Sequence, residues 1–388
     1  MIHVRTGRER SVSLILGSDP TIDRDGVGQY TEQLYKHISA VVEEDRVRDL
    51  NVDLVLLRPG SLQEWRSNFT KIFERSDLVH IEYPYEGWGT SPVPGLYPGY
   101  LRHIPPRRTA KVVTTFHEWR SMHPLRKASI LPLALSSSGI LFVSDHEHTT
   151  FRNSLCYRLR ITKPITRVIP IGVNLTIPEL RVRETLDVRK RLLDWKGDKA
   201  DVLLGYFGFI YDSKQPIKML RTLKSLLELG VKARLVIAGD FPADHVAEKK
   251  RFMQNIRSLG LEHCVLFLGF VEDATTLART LSACNAVLLL FSDGVSARRS
   301  SFWTILELGI PLVTTRPSFE GEFDNLLPRR FHSDLRLVDP TEEAESLAAT
   351  VAQFKEFRLP QQRRDISPGW RAIADEHIAF YRKILQDS

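Results

Sequence analysis

The chain has 388 residues, too many for one compact core and enough for two domains of ordinary size. Hydrophobic residues make up 43% and charged residues 26%, proportions that exclude an intrinsically disordered chain. The net charge of +7 is a modest basic excess that suits an anionic substrate or an anionic membrane surface; with no recognition motif and no long basic stripe, it does not make a nucleic-acid binder.

The apolar run "SVSLILG" is too short for a signal-peptide core, and no cleavage-site pattern follows it. No run approaches the roughly 18 to 20 residues needed to span a bilayer. The longest, "ASILPLALSSSGILFV", is broken by Pro132 and a run of serines. Cys156, Cys264 and Cys284 are odd in number and far apart, which fits reduced, buried thiols rather than a disulfide scaffold or a zinc site. The expected setting is cytoplasmic, extending to peripheral contact with the inner face of the cell membrane.

In chain order, "VSLILG" reads as a buried strand and Gly26 to about Val42 as an amphipathic helix. "DLVLL", "DLVHIEY", "AKVVTTFH", "GILFVS" and "TRVIPIGV" follow as short apolar runs bounded by turns, the pattern of a parallel sheet covered on both faces. Residues 84–108 differ: they are rich in proline and glycine and carry Tyr85, Trp88, Tyr97 and Tyr100, as functional or mobile loops do. Residues 176–200 are polar and read as an interdomain connection. A second series then begins, with strands "VLLGYFGF", "ARLVIAGD", "CVLFLGF", "AVLLLF" and "PLVTT" and a helix "QPIKMLRTLKSLLELG" ended by Gly230. Two such series predict an α/β protein of two Rossmann-like domains with a cleft between them, followed by an amphipathic tail helix, "WRAIADEHIAFYRKILQ".

The stretch "DGVSARRSSFWTILELGIPLVTT" places Arg298, Arg299, Ser300 and Ser301 where a loop becomes a helix. A helix N-terminus already favours anions, and two guanidiniums there point to a phosphate site.

The order of these motifs resembles the GT-B glycosyltransferases, in particular the retaining group called family 4 (glycosyl transferases group 1). "DRDGVGQYTEQL" is similar to that family's first loop and helix, "TTFHE" to its strand ending in a histidine, and "VIPIGVN" to the segment entering the second domain. "GYFGFIYDSKQPIKML" resembles the donor-domain phosphate loop, and "LVIAGD" and "LFLGFVED" the strands flanking the nucleotide base. The Trp370 helix resembles the one that crosses back to the N-terminal domain. The resemblance implies an acceptor domain over residues 1–175 joined by the helix in 366–388, and a nucleotide-sugar donor domain over 176–365. It implies metal-independent transfer of a sugar from a nucleotide-diphospho-sugar, a co-substrate rather than a cofactor, to a hydroxyl acceptor in polysaccharide, glycolipid or natural-product assembly.

Residue by residue, the resemblance puts Lys214 on the donor diphosphate. The arginine usual in that loop is replaced by Phe209, and Arg298 or Arg299 is expected to supply the missing charge; pairing of both with carboxylates is the alternative. Gly208, Gly239, Phe270 and Val271 flank the nucleotide. Asp293 and the backbone of Gly294, Val295 and Ser296 are expected on the sugar or phosphate, and Ser300 or Ser301 on the ribose or as a helix cap. The family's two glutamates are absent: the later slot, five residues before Gly309, is Thr304, and the earlier falls in Gly294–Ser296. On the N-terminal side Gly26, Val27 and Gly28 form a tight loop that a phosphate or sugar could approach. His117 is expected beside the transferred sugar, with Glu118 facing the acceptor and Asp145 nearby. Catalytic roles fall on His117, Lys214 and Arg298, and no metal site is expected. Tyr97, Tyr100, Arg102, His103, Arg107, Arg108 and Lys111 form a basic, aromatic segment suited to an anionic membrane or a lipid-pyrophosphate acceptor, or to plain solvent exposure. Two other readings remain: a catalytically silent GT-B subunit supporting an active partner, and a GT-B epimerase or phosphorylase.

Overall fold

In the computed structural model the described residues are 9–17, 26–44, 47, 49–57, 60–83, 93, 95–96, 110–120, 122–158, 163–173, 177–195, 199–323, 334–361 and 369–386. The aromatic, basic segment expected within 84–108 lies outside them, apart from residues 93, 95 and 96; Lys111 opens a strand. The chain divides into two compact units, Met1–Gly172 with Pro368–Ser388, and Val173–Ser367.

The first unit is built on six parallel strands: β1 Arg10–Gly17, β2 Leu50–Leu57, β3 Leu78–Tyr83, β4 Lys111–Phe116, β5 Gly139–Phe142 and β6 Ile165–Val168, in the order β2-β1-β3-β4-β5-β6. Every residue of β3 and β5 is buried, as expected where helices cover both faces. Helix Gly26–Glu44 buries Tyr30, Leu34, Ile38 and Val41, and the C-terminal helix Trp370–Gln386 buries Ile373, His377, Tyr381 and Ile384. Both sets repeat at helical spacing, one apolar stripe each, and the two helices pack together. Trp370 stacks on His37 at 5.4 Å and tilts against Tyr30 at 5.5 Å. Arg382 makes two hydrogen bonds to Asp49, at 2.9 and 2.7 Å. The C-terminal helix also lies directly on the sheet: a Cβ on Gly139 would come within 2.7 Å of the Phe380 ring.

The second unit carries β7 Val202–Phe207, β8 Ala233–Ala238, β9 Val265–Gly269, β10 Ala286–Leu289, β11 Leu312–Thr315 and β12 Leu335–Val338, all parallel, in the order β12-β11-β10-β7-β8-β9. The first strand of the series stands beside the fourth, so the winding reverses between β7 and β10. That is the switch point at which open α/β sheets bind ligands, outside the strands' carboxyl ends.

The polar stretch 176–200, expected as a connection, contains a helix, Val182–Leu193. Its polarity hid it because only Thr185 is buried. Polar contacts hold it instead: Arg189 donates to the Ala283 carbonyl at 2.7 Å and lies 3.9 Å from the Phe357 ring centroid, and Glu184 pairs with Arg279.

Candidate functional site

In the second unit the loops leaving β7 and β10 meet at the switch point. The β7 loop begins at Gly208, whose φ of +108° is open to glycine and strained for any other residue. Its carbonyl passes so close to Gly239 that a Cβ there would stand 2.0 Å from the oxygen. Two backbones cross here, and only glycine at 239 permits it. A bridge ties Gly239 to Gly269, which brings Phe270, exposed, and Val271, half-buried, to the rim of this crossing.

The chain then turns through a single 3-10 turn, Asp212–Lys214, and Gln215 at φ 47°, the one non-glycine with positive φ among the described residues. Such a backbone costs on the order of 1–3 kcal/mol and persists only when its surroundings hold it. Gln215 Nε2 and Lys218 Nζ both donate to the Pro340 carbonyl, at 3.2 and 2.8 Å. The turn folds Lys214 back over the glycine: a Cβ on Gly208 would lie 3.4 Å from Lys214 Nζ and 3.8 Å from the Ser301 Cβ. Lys214 is half-buried, sits 5.6 Å from the Tyr211 ring centroid, and makes no ion pair among the described residues. Loss of hydration, and the Arg299 guanidinium after it, push its pKa down to about 7.

The β10 loop delivers Arg298 and Arg299. Arg298 donates to Asp293 at 3.1 Å and to Ser296 Oγ at 3.3 Å; Arg299 donates to both Asp293 oxygens, at 2.9 and 3.1 Å, and lies 4.7 Å from the Phe291 ring centroid. The two guanidinium side chains are 8% and 18% exposed, against 32% for Asp293. One carboxylate therefore orders two cations. The loop is pinned from below: Glu322 accepts from the Ala297 N–H at 2.8 Å, Trp303 Nε1 donates to the Ala297 carbonyl at 2.7 Å, and Val295 is 1% exposed. Gly294 has φ 79°, and a Cβ on it would meet the Arg316 carbonyl at 2.3 Å. Arg299 stands just before helix Ser300–Leu308, so Ser300 and Ser301 carry its first N–H groups. Thr304, in the slot of the later glutamate, is buried and donates to the Ser300 carbonyl at 2.9 Å.

Lys214 and Ser301 thus stand over Gly208, with Arg299 close enough to Lys214 to lower its pKa and both arginines paired to Asp293. The arrangement suits a ligand with several negative charges.

In the first unit His117 follows β4, and its Nε2 lies 2.7 Å from Glu82 Oε2 on β3. Tyr30 meets the ring edge-on at 5.2 Å. Glu82 is 1% exposed and belongs to a buried polar cluster with His80, Thr115 and, from the C-terminal helix, His377 and Tyr381. None of these partners was expected from the sequence. The signal was there: His80 and Glu82 alternate in a strand otherwise free of charge. Gly28 is buried, Val27 accepts from Thr31 Oγ1 at 2.8 Å, and a Cβ on Gly26 would meet nothing within 4 Å. Glu118 is exposed, and Asp145 is exposed in the first turn of its helix, where Glu147 turns inward to accept from the Arg120 N–H at 2.7 Å. Among the described residues no group of three or more His, Cys, Asp or Glu could hold a metal, and no helix is long and apolar enough to cross a membrane.

No protein-family model matches the chain, and a search of curated proteins finds no match. Solved structures do match along its length. A sucrose-phosphate synthase from Thermosynechococcus elongatus is 18% identical with a TM-score of 0.67, covering 98% of this chain and 100% of that one. A glycosyltransferase from Rickettsia africae is 14% identical with a TM-score of 0.66, over 98% and 100%. HepE of Anabaena, solved in complex with UDP and glucose, is 17% identical with a TM-score of 0.64, over 98% and 99%; it has also been solved with UDP-glucose. These neighbours are GT-B glycosyltransferases, and the two parallel six-stranded sheets, with the C-terminal helix packed on the first helix, are the GT-B fold.

Proposed function

We propose that the chain is a retaining, metal-independent glycosyltransferase of the hexosyltransferase type, related to family 4, which moves a sugar from a nucleotide-diphospho-sugar to a hydroxyl acceptor. The observation that carries this reading is the convergence of the Lys214 ammonium and Ser301 on Gly208 beside the paired Arg298 and Arg299. A nucleoside diphosphate bears the multiple charge that such a group attracts, and the fold is shared with a protein solved in complex with UDP-glucose.

In this reading Lys214 and one of the two arginines hold the diphosphate, and residues 176–365 act as the donor domain. The bond between the anomeric carbon and the phosphate oxygen breaks, the acceptor oxygen bonds to that carbon on the same face, and the acceptor's proton passes to the departing phosphate. The fixed cations stabilise the charge that gathers there, the largest effect a preorganised site supplies. His117 orients a sugar hydroxyl, and residues 1–175 hold the acceptor.

A thermal-shift screen against UDP, GDP, ADP and dTDP and their sugar conjugates tests it, because a ligand that binds the native state raises its apparent stability. UDP or a UDP-sugar is expected to raise the transition. No shift with any of the eight classes of probe, in a well-folded sample, would move the reading to a catalytically silent subunit.

A further inference from the structure

The catalytic reading leaves a buried cluster in the first unit without a task, and its hydrogen bonds have a direction. Tyr381 Oη lies 2.7 Å from His80 Nδ1, His80 Nε2 lies 2.8 Å from Thr115 Oγ1, and Thr115 Oγ1 donates to Glu82 Oε1 at 3.4 Å. His117 Nε2 reaches the other carboxylate oxygen at 2.7 Å. His80 Nε2 itself stands 3.3 Å from Oε1.

Glu82 is the charge these bonds serve. Burial pushes its carboxyl up, but His80 and the hydrogen bond from His117 more than offset this and hold it below its usual range. At neutral pH His80, His377, Tyr30 and Tyr381 are uncharged: burial lowers His80, takes His377 down to about 4, and raises Tyr30 and Tyr381. A buried carboxylate accepts and does not donate. With each histidine carrying one ring proton, one arrangement satisfies every distance. Tyr381 donates to His80 Nδ1, His80 Nε2 to Thr115, Thr115 to Oε1, and His117 Nε2–H to Oε2. The reverse tautomer of His117 would set a lone pair against the carboxylate. Nδ1 of His117 has no partner among the described residues.

We propose that Glu82 is a positioning residue: it locks His117 with the proton on Nε2 and turns the Nδ1 lone pair outward as a hydrogen-bond acceptor for a hydroxyl group. Tyr381 and His80 hold Glu82 in place, so the C-terminal helix takes part in setting the tautomer. An outward lone pair selects a neutral hydroxyl donor and repels an anion, which separates this position in kind from the cationic group around Gly208. That the hydroxyl belongs to a sugar rests on the transferase reading above; the tautomer does not.

The test is an imidazole ¹⁵N–¹H spectrum of the full chain at neutral to alkaline pH, with the His117 signals identified by their loss in His117→Gln. The expected spectrum has the His117 proton on Nε2, slowly exchanging and downfield of the amide envelope because its acceptor is a buried carboxylate. In Glu82→Gln that proton moves upfield or leaves Nε2, while Tyr35→Phe, remote in role, leaves it unchanged. A proton on Nδ1 in the wild type overturns the proposal, and so does an Nε2 signal that Glu82→Gln does not move. Should Glu82→Gln fail to fold, the wild-type tautomer still decides. Absence of nucleotide binding with the expected tautomer would remove the transferase reading alone; nucleotide binding with the reverse tautomer would remove this proposal alone.

Discussion

Lys214 Nζ stands 3.4 Å from the point where Gly208 would carry a Cβ. A strained turn folds the ammonium over a glycine held at positive φ, so that no side chain stands between the cation and the backbone beneath it. Removing the ammonium should therefore separate stability from binding. Lys214→Met should weaken nucleoside-diphosphate binding at least about tenfold. It should also raise Tm by about 2–4 °C, because a partly buried cation with no ion-pair partner among the described residues is lost. Calorimetry and a melting curve on the same sample check both; a fall in Tm together with unchanged affinity would make Lys214 a structural residue.

The pKa of Lys214, about 7, fixes a pH dependence. In the free protein the ammonium is present below pH 7 and lost above it. A bound diphosphate draws the proton back, so the complex holds its proton to higher pH than the free site. Affinity should be greatest near pH 7 and fall by up to about tenfold per unit above it, with proton uptake on binding. Below about pH 6 the phosphate itself takes up protons, so the window to read is above that. Lys214→Met should flatten the profile. The folding signs agree: the unfolded lysine titrates near 10.4, roughly, so between pH 7 and 10 the unfolded chain binds more protons and stability rises with pH.

The two glycines should fail differently. Gly239→Ala drives a Cβ to within 2.0 Å of the Gly208 carbonyl, a backbone clash that no rotamer relieves. A loss of about 2–3 kcal/mol in denaturant unfolding is expected. Gly208→Ala meets nothing closer than 3.4 Å but strains a φ of +108° and occupies the ligand's space. It should cost on the order of 1 kcal/mol of stability and a larger share of diphosphate affinity. Equal effects of both on stability and none on binding would refute the placement of the ligand.

Arg298→Ala and Arg299→Ala should each lower diphosphate affinity, by about tenfold for the better-placed one, and the double variant more. Asp293 pairs with both, so Asp293→Asn should remove one negative charge beside them and raise affinity for a free diphosphate at low salt. Unchanged affinity in the double variant would assign both arginines to Asp293 alone.

The two parallel sheets were legible because buried strands such as "LVHIEY" and "AVLL" need apolar side chains on both faces, and turns bound them. Helix Val182–Leu193 was not, since it buries one threonine and is held by polar contacts that no periodicity records. The Arg298–Arg299 site was legible as a cluster but not as a geometry: pairing with Asp293 depends on a loop pinned by Trp303 and by Glu322, which lies 25 residues beyond Ala297. Glu82 went unread for the same reason. It is 35 residues from His117, and its meaning appears only when β3 and β4 lie side by side.

Titration calorimetry of UDP into the wild type and Lys214→Met, at pH 7 and pH 8.5 or thereabouts, tests the central claim most directly. The account predicts binding to the wild type with proton uptake, weaker at the higher pH, and weak, pH-independent binding to the variant. Equal affinity for both proteins at both pH values would contradict a diphosphate site at Lys214.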